Sequence, residues 1–391
     1  MNRRVDLDAA RGLMLVLMAL THLPTRFSSP AGQPFGFVSA AEGFVMLSAY
    51  MAGMVYTSRA LKSGIPAMRT AFLMRALKIY GCQAALLLFL FTFIAVLGLT
   101  FDRAEVKGLM GFFLEEPLTA FIASLLLLYN PPLLDILPIY IVFMLLSPLL
   151  LAHGVSRGWV GILIGSLLLW LLAQFDLGDR LYAAGIALSG LTTVPPKAYG
   201  SFEIFGWQFL WVLGLWMGSS AAQTPDAQTR FPRAVVLIAL AYALTTFVWR
   251  QAIGQVPFGD NAALNLLFDK WHVGPLRLFN FFALLVLAMH YGPRLLDRLP
   301  RLTWLEVMGS ASLPVFCAHL VLVLLALVQF GAPNAGRPVA VDVLILIGSF
   351  AALYAVALIS QRLDRYAAAI KERWSRQQRR RRSRLNANAT R

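Results

Sequence analysis

Apolar residues run along this chain in blocks rather than in stripes. Ten blocks, at residues 9–23, 36–57, 72–99, 133–152, 158–175, 204–220, 234–249, 276–291, 308–330 and 339–360, hold few ionisable side chains. Such blocks approach or exceed the roughly 20 residues a helix needs to cross a hydrocarbon core about 30 Å thick. Hydrocarbon offers the backbone no hydrogen-bond partners, so a crossing block closes its bonds within a helix. The pattern predicts an all-α, polytopic transmembrane bundle of about ten helices. One more block, 118–129, is about twelve residues long and reads as a re-entrant or interfacial segment. An eleventh crossing would need a further helix near 181–194.

Charges between the blocks set an orientation. With Arg3, Arg4 and Arg11 at the cytoplasmic face, ten crossings bring Arg59, Lys62 and Arg69 to that face, then Arg230 with Arg233, and Arg294, Arg298 and Arg301. This is the arrangement the positive-inside rule asks for. Both termini are then cytoplasmic, as in a multi-pass protein of a bacterial inner membrane. The opposite segments, 100–132, 176–203 and 250–275, carry Glu115, Glu116, Asp176, Asp179, Asp260 and Asp269, a polar face suited to a hydrophilic substrate. Arg11 and His22 within the first block, with no small-residue cleavage site after it, mark a retained helix rather than a signal peptide. No repeat of 20 to 50 residues is present, so 1–361 reads as one membrane domain.

Composition narrows the class further. The chain has 391 residues, 59% hydrophobic and 14% charged, against roughly 25% charged in soluble domains. That excludes a water-soluble globule, a disordered chain and a disulfide scaffold. Cys82 and Cys317 each sit in an apolar run and read as small buried hydrophobes. Of the formal net charge of +15, the segment 362–391 supplies +9, from eleven Lys and Arg against Asp364 and Glu372. After a membrane helix, such a tail is expected to be disordered. It is expected to hold anionic lipid, at about 1 kcal/mol per basic residue, rather than nucleic acid.

Ionisable residues at bilayer depth cost about 2.5–3.5 kcal/mol on insertion scales, so their presence points to function. Arg11, in D-L-D-A-A-R-G-L, and His22, in L-T-H-L-P, are eleven residues apart. That is close to three turns, about 16 Å, so one helix face carries both. His22 takes and gives a proton near neutral pH and is the best candidate for a general base, although a helix-end hydrogen bond would also account for it. Arg11 reads equally as an interface anchor. Glu42, in S-A-A-E-G-F-V-M-L-S-A-Y, follows the first helix after a short loop and is placed to orient His22, or to fix helix packing. Arg75 and Lys78, spaced i to i+3 with Arg69 just before, read as a phosphate clamp or as an ordinary positive flank. His319, in S-L-P-V-F-C-A-H-L-V, lies inside a block. His153, His272 and His290 lie at block ends or in loops and read as structural. No phosphate loop, dinucleotide fingerprint, His-Glu-x-x-His, Cys-x-x-Cys or Gly-x-Ser-x-Gly string is present.

Taken in order, D-L-D-A-A-R-G-L…T-H-L-P, A-A-E-G-F-V-M-L-S-A-Y, R-A-L-K-I-Y, L-L-D-I-L-P-I-Y-I-V, G-W-Q-F-L-W-V-L-G, G-P-L-R-L-F-N-F-F-A-L and G-S-A-S-L-P-V-F resemble the OpgC family of membrane proteins. The resemblance spans about Arg4 to Ser360 and leaves out the basic tail. OpgC-type proteins are associated with succinylation of osmoregulated periplasmic glucans and look like relatives of the acyltransferase-three superfamily. The resemblance implies O-acyl transfer, succinyl first among the acyl groups, from cytoplasmic acyl-CoA to a glucan hydroxyl on the far side, with no bound cofactor. It matches Arg11 and His22 to an arginine and a histidine needed for activity, Arg75 and Lys78 to a basic pair, and Glu42 to the acid before the second-helix Phe. With the reading of the residues themselves, catalysis is expected of His22 and Glu42, and donor binding of Arg11, Arg69, Arg75, Lys78, Ser48 and His319. Ser48-Ala49 stands where the family has Ser-Gly, and I-Y-G-C-Q-A follows Lys78 where Tyr-Trp-Ala-His or similar is expected. Arg26 near His22 is a candidate partner for a succinyl carboxylate, or a loop anchor. A secondary transporter, with Pro138, Pro148 and Pro314 breaking its helices, and a non-catalytic scaffold of a glucan-synthesis complex are the rival readings.

Overall fold

Two of the apolar blocks lie on one helical run. Residues Ala40–Thr100 are continuous apart from a break at Gly64, whose φ of 84° and ψ of 165° suit a residue with no Cβ. The Tyr56 and Phe72 rings meet across the break with centroids 3.9 Å apart, so the two halves fold against each other. This is a computed structural model, and it describes residues 4–189, 194–195, 198–224, 230–298 and 300–389.

The main helices are α1 (Val5–His22), α2 (Ala40–Phe89, carried on to Thr100), α3 (Ile136–Arg157), α4 (Val160–Ala173), α5 (Leu177–Ser189), α6 (Ile204–Gln223), α7 (Arg233–Ile253), α8 (Pro275–Arg298), α9 (Thr303–Ser310), α10 (Ser312–Phe330) and α11 (Val339–Ala389). Short helices fill the loops, and no strand occurs among the described residues. The all-helical class expected from the sequence is therefore found.

Six of the described helical runs are long and apolar enough to cross a membrane, or seven if α4 and α5, bent by 80°, form one broken span. The expected count of about ten is not reached on that measure, for identifiable reasons. The Ala40–Thr100 run merges two expected crossings, α1 carries Asp6, Asp8 and Arg11, and Gly, Gln, Ser and Trp dilute α6. The 118–129 block forms the nine-residue helix Pro117–Leu125, too short to cross. Near 181–194, α5 ends at Ser189, and 190–193 lie outside the described residues. The tail expected to be disordered instead continues α11 as far as Ala389, since its Gln, Arg and Ala residues are good helix formers and no Gly or Pro interrupts them.

What positions the site is the packing of α1. It lies against α9, α2 and α10. At the α1–α9 seam a Cβ on Gly12 would overlap the Leu305 carbonyl, and one on Gly309 the Asp8 carbonyl. Small residues that let two backbones approach are the usual means of helix association in a bilayer. Here they bring Arg11 beside the start of α10.

Candidate functional site

α1 presents Arg11 and His22 to α10, and each meets a side chain there. At one end an Arg11 Nη2 donates to Ser312 Oγ. At the other, His22 Nδ1 lies 3.1 Å from His319 Nε2, with the rings stacked at 5.3 Å between centroids and 27° between planes. His319 is 1% exposed, and its Nδ1 is 2.8 Å from the Phe316 carbonyl oxygen.

The carbonyl can only accept, so it fixes the tautomers. His319 Nδ1 carries the proton, and the Nε2 of the neutral ring then accepts from His22 Nδ1–H. His22 Nε2 is left with a free lone pair. An imidazole oriented by a partner on one nitrogen and open on the other is the arrangement of a general base.

The structure gives that orienting role to His319 and not to Glu42. Glu42 is the third residue of α2, and its carboxylate turns back toward the helix start in a capping box. Ser39 N donates to Oε2 at 3.1 Å and Ser39 Oγ at 2.5 Å. Arg277 Nε, from the first turn of α8, donates to Oε1, and both side chains are 1% exposed. The carboxylate is thus a packing anchor for α2 and α8. Arg277 was missed in the sequence, although it stands as a lone charge one residue inside the 276–291 block. Three residues on, Asn280 Oδ1 accepts from Phe37 N at 2.8 Å, so α8 also holds the loop that enters α2.

A cavity of about 190 Å³ opens between α1, α2, α3 and α10, with Arg11, Ser48, Arg75, Tyr140, Ser312 and Phe316 among its lining residues. Tyr140 donates to the Phe44 carbonyl at 3.2 Å. Phe316 joins the cavity to the histidines, for its carbonyl holds His319. Of the expected clamp only Arg75 lines this space; Arg69 and Lys78 are exposed and do not. Cys82 and Cys317 are free thiols.

Arg26 is not a spare cation. Asp342 accepts from it at 3.0 Å, its guanidinium also donates to the Arg337 carbonyl, and Arg337 itself contacts Asp342 at 3.2 Å. Another cation at this end is Lys270, in the loop before α8, whose charge acts on His22. It was not picked out from the sequence.

That loop is clamped by a pair outside the membrane-spanning segments. Asp269 Oδ2 meets His272 Nδ1 at 2.7 Å and accepts from His272 N at 2.8 Å. The hydrogen bond to Asp269 raises the His272 pKa above its ordinary value. Burial alone would raise Asp269, but the bonds from His272 outweigh it and hold that carboxylate low. The pair therefore contributes fully between the two ordinary pKa values, is lost above as pH rises through the raised His272 value, and is lost below as pH falls through the lowered Asp269 value. Thermal melts should show a decline above neutral pH of at most about 1 kcal/mol, because the pair is partly exposed. Asp269→Asn should flatten it.

No curated protein matches the chain. No solved structure matches it either. One family model does, described as OpgC protein, and it covers residues 3–365, nearly all of the helical bundle built around the His22–His319 pair. The chain therefore belongs to the OpgC protein family.

Proposed function

We propose that this protein is a membrane O-acyltransferase that moves an acyl group, succinyl in the first instance, from acyl-CoA to a hydroxyl of a periplasmic glucan. Membership of the OpgC family supports a role in glucan modification by acyl transfer. The observation that carries the chemistry is the hydrogen-bond chain from the Phe316 carbonyl through His319 to His22, which leaves His22 Nε2 free to accept a proton. In the proposed step Nε2 takes the proton of the glucan hydroxyl while its oxygen bonds to the thioester carbonyl carbon. The C–S bond then breaks, and the proton passes to the leaving thiolate. A positioned base of this kind contributes about 10² to 10⁴ in rate.

On this reading acyl-CoA enters from the cytoplasmic, Arg75 end, and the glucan comes to the His22 end. The protein lies in the bacterial inner membrane with ten crossings and both termini in the cytoplasm. The exposed Arg362, Arg365, Lys371 and Arg373 rest on anionic lipid. Arg11 and Arg75 supply the positive charge for the donor's phosphates. Arg75→Ala should raise the KM for acyl-CoA roughly tenfold, on the scale of one charge-assisted contact, whereas Lys78→Ala, on the exposed side, should change it by less than about twofold.

The direct test is purified protein in detergent, supplied with labelled succinyl-CoA and glucan. Label on the glucan supports the enzyme. An intact fold with no transfer from succinyl-, acetyl- or other acyl-CoA overturns it, and solute accumulation in vesicles without loss of acyl-CoA selects a transporter.

A further inference from the structure

His22 and His319 are 297 residues apart in the chain, so their 3.1 Å contact lasts only while the ends of α1 and α10 are held together. At the Arg11 end the Gly12 and Gly309 seam fixes α1. The histidine end is braced from a third helix, α11, which carries neither ring. Asp342, in its first turn, is 0% exposed. Its Oδ2 accepts from Arg26 N at 3.2 Å and from Arg26 Nε at 3.0 Å, and its Oδ1 accepts from Arg337 Nη1 at 3.2 Å.

The two arginines reach the ends of both histidine-bearing helices. Arg337 Nη1 donates at 2.7 Å to the carbonyl of Pro24, two residues past His22, and Nη2 donates at 2.7 Å to the carbonyl of Phe330, the last residue of α10. Arg26 donates back to the Arg337 carbonyl. One turn along from Asp342, Ile345 packs with Leu23, which follows His22, and with Val323 and Ala326, which follow His319 on α10. An ionic contact and an apolar one thus clamp the same two helix ends. A triad of two cations around a buried carboxylate adds little net stability, because desolvation offsets attraction, but its charge-assisted bonds accept few geometries. What it fixes is register.

We propose that Asp342 is a positioning residue of the His22–His319 pair, setting the approach of the two rings through Arg26 and Arg337. The proposal rests on the acyl-transfer reading above, in which His22 must meet both His319 and the reacting hydroxyl. Misplacing a reacting group by about 1 Å costs up to roughly 10²-fold in rate. Arg11 and Arg75, where the donor's charges are met, line the cavity beyond Phe316 and are not part of this clamp.

The experiment measures kcat and KM for labelled transfer from succinyl-CoA to glucan in full-length wild type, Asp342→Asn and Arg26→Gln, each also in a His319→Ala background. Asp342→Asn keeps the shape of the side chain and removes its charge. Both variants should lower kcat roughly 10- to 100-fold, with the KM for acyl-CoA held within about twofold. In the His319→Ala background the same changes should cost less than about threefold, because the contact they position is already gone. If Asp342→Asn does not fold, Arg26→Gln carries the same test. An unchanged kcat in the folded variants overturns the proposal. So does an equal loss in both backgrounds, and so does a loss of folding or of donor binding in both variants, which assigns the triad to the fold alone. Those results leave acyl transfer standing. Absence of transfer by wild type overturns the acyl-transfer reading and this inference together.

Discussion

His22→Ala is expected to transfer acyl groups roughly 10² to 10⁴ times more slowly than wild type, with acyl-CoA binding retained. The loss should fall on kcat, because the ring lies beyond Phe316 while the donor's charges are met at Arg11 and Arg75. His319→Ala tests the relay more sharply. His319 accepts from His22 Nδ1 and thereby frees Nε2. Without it the His22 proton is free to move to Nε2, which removes the base without removing the ring. A loss of roughly 10- to 100-fold is expected, by analogy with other partners that fix a histidine tautomer. Equal rates for His319→Ala and wild type, measured on monodisperse protein, would contradict the relay.

Stability should respond most to the Glu42–Arg277 pair. Both side chains are 1% exposed, and the Arg277 Nη2 meets no partner among the described residues, so the pair has little water to fall back on. Removing one member leaves the other charged and buried, which costs about 3–5 kcal/mol. Arg277→Ala and Glu42→Ala should each shift the unfolding transition by that amount, read by thermal melting of purified protein. The double change Glu42→Gln with Arg277→Met should recover much of the loss, since no lone charge then remains. Additive losses in the double variant would mean that the two residues do not act as a pair.

The apolar blocks made the helical class legible, because hydrocarbon forces every crossing segment into one conformation. Partnership between helices was less legible. Spacing placed Arg11 and His22 on one face of α1, and they do share one, but it could not say that the face meets α10. His22 and His319 are 297 residues apart in the chain, and Glu42 and Arg277 are 235 apart. Sequence proximity pointed instead to the nearest acid, Glu42. Yet the string S-A-A-E already spells a capping box, which turns that carboxylate toward its own helix start. The i to i+3 spacing of Arg75 and Lys78 offered both to the donor, but such residues differ by about 60° around the helix, and the cavity takes only Arg75. Lys270 carried no signal in the sequence, for nothing in a loop string says which charged side chains will stand around it.

The most direct test of acyl transfer through this bundle is a sided one. Proteoliposomes of uniform orientation would hold glucan at the His22 face and receive labelled succinyl-CoA, which does not cross lipid, at the Arg75 face. Label should appear on the enclosed glucan with wild type and be nearly absent with His22→Ala. Transfer only when donor and glucan share one compartment, or equal transfer by His22→Ala, would contradict the mechanism.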